Sequence, residues 1–148
     1  MMRYGARILT LALTTTLVVA CGDDNGDGKR AVKKEDFIAQ ADAICKASDD
    51  ATAALYKDVH TEDLEVLRPL LDRTAEISLK AVADIEGLGE PDRDAEGISR
   101  VLGEAKTTIR HFKDIKTKAE LETSSAQLAA VNRRVAELGF KVCGKSRE

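Results

Sequence analysis

The chain has 148 residues, one third of them charged, with a formal net charge of −3, two tyrosines, three phenylalanines and no tryptophan. The first 20 residues hold two arginines and no acid, so the remainder carries 21 basic and 26 acidic groups, a net charge of −5. That balance excludes an electrostatic footprint for nucleic acid, and the scarcity of aromatic faces argues against platforms for sugars or nucleobases.

Arg3 and Arg7 precede an apolar or threonine-containing run from Ile8 to Ala20. Thirteen residues fall short of the roughly 20 needed to cross a bilayer as a helix, and the pattern reads as a signal peptide over residues 1–20. The run ends in Leu17-Val18-Val19-Ala20-Cys21, which resembles the lipobox of bacterial lipoproteins. The resemblance implies cleavage before Cys21, a diacylglycerol on its sulfur, and attachment to the extracytoplasmic face of the cell membrane. Two or more acyl chains hold stably because each buried methylene contributes about 0.8 kcal/mol. The competing reading is a plain secreted protein with an incidental Cys21.

Residues 21–34 are polar and glycine-rich without periodicity, a flexible acidic linker. Asp23, Asn25, Asp27 and Gly28 match the first half of a calcium-binding EF-hand loop. The twelfth position, which needs a bidentate glutamate, is Lys34, and Glu35 comes one place too late. A hydrated linker is the better reading, and no metal or other cofactor is expected.

From residue 35 to 148 the chain reads as one helical domain. A first helix is expected from Lys33–Asp36 to Asp58, with Glu35 and Asp36 at the positive end of its dipole. Phe37, Ala41, Ile44, Ser48, Ala51 and Leu55 recur at helical spacing along one face. A second helix is expected to start after Thr61 as N-cap and to carry Leu64, Leu67, Leu71, Ala81, Ile85 and Leu88. Pro69 falls within this pattern and predicts a kink, because the apolar residues continue in phase beyond it. Gly87 to Pro91 is a stop signal.

The third helix opens at Asp92 or Asp94 and carries Ile98, Val101, Leu102, Ala105, Ile109, Phe112 and Ile115. Lys106, Arg110, Lys113 and Lys116 form a basic stripe on its outer side, read as a solvated face at the dipole's negative end. A fourth helix is expected from Lys118 to Val142, its seam built from Leu121, Ser124, Leu128, Val131, Val135, Leu138 and Val142. Gly144 is its expected C-cap, with a frayed tail behind it.

Four amphipathic helices with short connections predict an all-α, antiparallel four-helix bundle. If Cys21 is lipidated, Cys45 and Cys143 remain in an oxidising compartment, and neither has the neighbours of a metal site. A Cys45–Cys143 disulfide is therefore expected to join the first and last helices. Cys45 lies about 16 Å into the first helix. The first turns of that helix are therefore expected to project past the end of the fourth. At the other end the first helix is expected to stop short of the start of the fourth, an offset that leaves an opening among the helix tips or is filled by the Val59–Asp63 turn.

Phe37-Ile38-Ala39-Gln40-Ala41-Asp42-Ala43-Ile44-Cys45, Leu67 to Leu71, Leu88 to Pro91, and Leu138-Gly139-Phe140-Lys141-Val142-Cys143-Gly144 together resemble a group of small actinobacterial exported proteins. That group comprises uncharacterised lipoproteins with an A-D-A-I-C helix near the start and an L-G-hydrophobic-x-x-C-G ending. The resemblance supports envelope location and the disulfide and implies no activity. The single Pro91 departs from the proline pair often found at that turn.

Catalytic signals are weak. His60 and His111 stand apart from each other, His111 with Asp114 is only a three-residue spacing, and no nucleophile elbow, zinc-protease pair or phosphate loop occurs. Ser124, Ser125 and Asn132 read as core-edge polar residues, and Asp49 with Asp50 as solvated surface. The expected function is thus a non-catalytic protein-interaction module of the envelope, with a carrier or sensor for a small apolar ligand as the alternative. The two differ in their interiors. A cavity lined by Leu71, Ile85, Ile109, Phe112 and Leu128 favours the ligand, whereas a filled core beneath an exposed apolar patch favours the protein partner.

Overall fold

The computed structural model describes residues 31–145. The signal peptide, Cys21, most of the linker with its half calcium motif, and residues 146–148 lie outside the described residues. Four helices follow in order: α1 (Lys34–Tyr56), α2 (Leu64–Glu86), α3 (Ala95–His111) and α4 (Lys118–Glu137). They form an all-α four-helix bundle stapled by a Cys45–Cys143 disulfide. Packing runs between chain neighbours, α1 on α2, α2 on α3 and α3 on α4, while α1 and α4 make little direct contact.

The helix ends show how local chemistry sets the boundaries. α1 has no side-chain cap of its own at Lys33. Its first free N–H, that of Lys34, instead donates to Asp92 Oδ1 (2.8 Å), and the Lys34 ammonium reaches Asp94 (2.6 Å). Beside them Arg93 pairs with Glu35. The same connection holds Val32, whose N–H donates to Glu90 O (2.9 Å) and whose carbonyl accepts from Asp92 (2.7 Å). Val32 and Lys34, which the sequence reading assigns to the linker, are thus tied to the α2–α3 connection.

α2 begins one turn signal later than expected. Asp63 is its N-cap and accepts from Glu65 N–H, while Thr61 Oγ1 accepts from Asp63 N–H and shapes the turn before it. The two side chains serve different donors, and the carboxylate adjoining the helix provides the cap. The helix continues through Pro69. α4 opens on a capping box formed by Thr117 and Glu120. The backbone N–H groups of Lys116 and Thr117 that donate to Glu120 hold its carboxyl below the usual glutamate range.

Two helices end sooner than the apolar pattern suggests. α3 stops at His111, and Phe112–Asp114 tighten into a 3-10 turn that leaves Ile115 extended and buried. Arg68 of α2 secures this corner by donating to Ile115 O (2.8 Å). α4 stops at Glu137 instead of Val142, because Gly139 takes a φ of +103°, a conformation glycine adopts without strain. Gly144 is therefore no cap. Its backbone lies so close to Ala136 that an added Cβ would sit 2.7 Å from the Ala136 Cβ, so it serves close approach.

The early end of α4 changes how the disulfide is reached. Residues 138–143 turn back along α1. Gly139 lies near Ile38, and the Phe140 ring meets that of Phe37 edge-on at 6.3 Å. The N–H groups of Lys141, Val142 and Cys143 all donate to the Asp42 carboxylate at 2.9–3.0 Å. Cys143 then bridges to Cys45, with Cα atoms 5.2 Å apart, inside the range a disulfide requires. The returning tail, and not a projecting first helix, accounts for a bridge so far into α1.

Asp42 is thus a single side chain organising a whole segment. Hydrogen bonds to a charged acceptor contribute about 1.5–3 kcal/mol each and do not add fully. Replacing Asp42 with Ala is expected to cost about 3 kcal/mol, read as a fall in melting temperature with the disulfide intact. Asp42→Asn keeps one oxygen for the N–H groups of Val142 and Cys143 but turns an NH2 toward Lys141, and is expected to fall between wild type and Asp42→Ala.

Candidate functional site: an apolar cleft between the first and last helices

The bundle is not equally filled along its length. At the disulfide end, Phe37, Ala41, Ile85, Ile98, Val101, Val131, Val135 and Phe140 make one dense core. Toward the other end the buried apolar cluster is smaller, Ala75, Val82 and Ile109, with Leu102, Phe112 and Leu128 packed against it half-buried. A cleft of about 360 Å³ runs along the bundle, bounded by all four helices and the returning tail, and at the disulfide end it is walled by Ile85, Val101, Val131, Val135 and Phe140 of the dense core.

Small side chains leave this space open. Ser48 on α1, Ala75, Ser78 and Ala81 on α2, Ala105 on α3 and Ala129 on α4 all face it. Close-packed cores alternate large and small residues so that little space larger than a water remains. Here small residues oppose small ones, and α1 and α4 stay apart. The α1 face is also rotated slightly from expectation. Thr52 is buried, its hydroxyl bonded to Ser48 O (2.9 Å), while Ala51 is exposed.

All five residues that the sequence reading required for a ligand cavity, Leu71, Ile85, Ile109, Phe112 and Leu128, line the cleft. Cys45 and Cys143 line it too, so the disulfide is part of its wall. Polar groups are few. Thr74 donates to Tyr56 Oη at 3.2 Å and Asn132 donates to Lys145 O at 3.4 Å, while Ser48, Asp49, Ser78, Ser125 and Lys145 complete the polar lining. A space of this size equals the share of about 12 liquid waters, each needing two to four polar partners that these walls scarcely offer. An apolar occupant matches the lining better, and both the size and the position between bundle helices are those of small-molecule sites.

A second depression, larger at about 520 Å³ but shallower, runs outside between α3 and α4. Its floor is Gly103, Thr107 and Ala130, and its rim carries Arg100 and Arg134. Arg134 lies 2.9 Å from Glu104 Oε2, close enough for an ion pair, although that oxygen accepts no aligned hydrogen bond. This groove encloses little apolar surface, so the cleft is the stronger candidate.

The remaining sequence candidates stand elsewhere. His60 lies in the α1–α2 connection and His111 ends α3, both exposed. Ser124 is buried in α4, whereas its neighbour Ser125 faces the cleft. The basic stripe of α3 is partly engaged within the bundle, Lys106 with Glu86 (2.7 Å) and Lys113 with Glu76 (3.9 Å). Among the described residues, no three His, Cys, Asp or Glu side chains cluster as metal ligands, and no helix is long and apolar enough to cross a membrane. Comparison with known proteins adds no relative, since no protein-family model, curated protein or solved structure matches the chain.

Proposed function

We propose that this protein is a membrane-attached, extracytoplasmic lipoprotein that holds a small apolar ligand between its helices as a carrier or sensor. The observation carrying the ligand half is the cleft of about 360 Å³, walled by Leu71, Ile85, Ile109, Phe112 and Leu128. The attachment half rests on the lipobox-like Leu17-Val18-Val19-Ala20-Cys21. The protein-partner reading lacks its expected feature, because Val66 is the single large hydrophobic residue that is strongly exposed among the described residues. The chemistry of the cleft is that of binding, with no nucleophile–base pair within it.

Two measurements test this reading. Mass spectrometry of the mature protein is expected to find Cys21 at the N-terminus bearing a diacylglyceryl group, and Cys21→Ala is expected to release the protein from the membrane fraction. Titration with a naphthalene-based fluorescent probe is expected to show saturable binding that weakens at least tenfold in Ala105→Phe, whose ring fills the cleft. Binding that is absent, or indifferent to Ala105→Phe, overturns the ligand assignment.

A further inference from the structure

The shape of the cleft narrows the class of its ligand. On α2 the lining runs from Leu71 to Ile85, fourteen residues apart and therefore about 21 Å along the helix. On α3 and its following turn it runs from Val101 to Phe112, and on α4 from Ser125 to Val135, about 16 and 15 Å by the same rise. About 360 Å³ spread over such a length makes a column several times longer than broad. A phenylalanine stands toward each end, Phe112 at the α3–α4 corner and Phe140 in the returning tail. Between them the walls are mostly aliphatic or small, and the polar side chains are distributed among Ser48 and Asp49 on α1, Thr74 and Ser78 on α2, Ser125 and Asn132 on α4, and Lys145 in the tail.

Resting on the ligand-binding reading above, we infer that the cleft is filled best by one linear alkyl chain, laid parallel to the helices, in preference to a rigid, sterol-sized ring system. The chain fills the space that the α1 and α4 backbones leave between them. A polar head remains at the gap between those two helices, within reach of the Ser48 and Ser125 hydroxyls and the Asn132 amide. A free fatty acid and a monoacylglycerol share this chain chemistry, and they differ only in the head.

The test uses the full chain carrying Cys21→Ala, so that no covalently attached acyl group competes. Calorimetric titration is made with saturated fatty acids and, separately, monoacylglycerols of 8 to 18 carbons, each below its aggregation concentration, with cholesterol as the compact comparison. Burying each further methylene is expected to tighten binding about fourfold, until the chain exceeds the column and affinity levels off. Ala129→Leu, which adds bulk on the α4 wall, is expected to move that plateau to shorter chains while the fold persists by circular dichroism. The head series that binds more tightly identifies the source of the chain. Cholesterol binding as tightly as the longest chains, or affinity independent of chain length, overturns the linear-chain inference while leaving an apolar site in place. Failure of every probe, cholesterol and the fluorescent naphthalene included, instead removes the ligand-binding reading itself.

Discussion

Removing the Cys45–Cys143 bridge by Cys45→Ser with Cys143→Ser is expected to lower the unfolding free energy by about 4–5 kcal/mol. The cysteines are 98 residues apart, so the closed loop spans most of the described chain and constrains the unfolded state strongly. The native side points the same way. The α1 and α4 backbones keep apart, and the tail joins the two helices. Its hold on α1 consists of the bridge, the three bonds to Asp42 and the Phe140 contact. Denaturant unfolding with and without reductant measures the difference. A loss below about 1 kcal/mol would mean that Asp42 and Phe140 keep the tail in place even in the unfolded ensemble's favoured compact states, and that the cross-link adds little.

Phe37→Ala is expected to cost about 4 kcal/mol, in the range found for emptying a buried aromatic site. Phe37 is 1% exposed and is among the largest fully buried side chains. Its ring joins the first turn of α1 to Phe140 of the tail and to the dense end of the core. Both neighbours are held independently, Lys34 by Asp92 and the tail by Asp42, so the site has little freedom to collapse into the cavity. Phe37→Leu, which refills most of the volume but loses the edge-to-face contact, is expected to cost clearly less. Equal losses for the two variants would show that the ring contact with Phe140, and not the filled volume, carries the energy.

The helical faces were readable from residue spacing because burial selects apolar side chains at intervals of three and four. That is why the spacing alone places Leu71, Ile85, Ile109, Phe112 and Leu128 around one interior. The disulfide was readable as well, from the number of cysteines and the compartment implied by the leader. The end of α4 was obscured by a seam that stays in phase through Val142. The usable signal was Gly139 followed by Phe140 and Val142, a glycine suited to a C-terminal cap before residues of lower helix propensity. Asp42 and Asp92 had no comparable signature. Each accepts hydrogen bonds from backbone N–H groups far along the chain, and backbone donors are the same whatever the residue. The openness of the bundle was also hidden, since small side chains at Ser48, Ala75 and Ala105 suit a close helix approach as well as a void. Only their opposition across one space decides between the two.

The returning tail has a consequence for the order in which the molecule is assembled. The groups in α1 that most need partners, Asp42 and Cys45, find them in residues 141–143, and closing so long a loop is slow compared with forming helices locally. A polypeptide delivered N-terminus first, whether from a ribosome or through a translocation pore, therefore cannot complete its first helix's surroundings until nearly its last residue has emerged. Premature termination anywhere before Lys141 leaves Asp42 bare and Cys45 a lone thiol, so an incomplete copy advertises itself to proteases, and only a finished one locks.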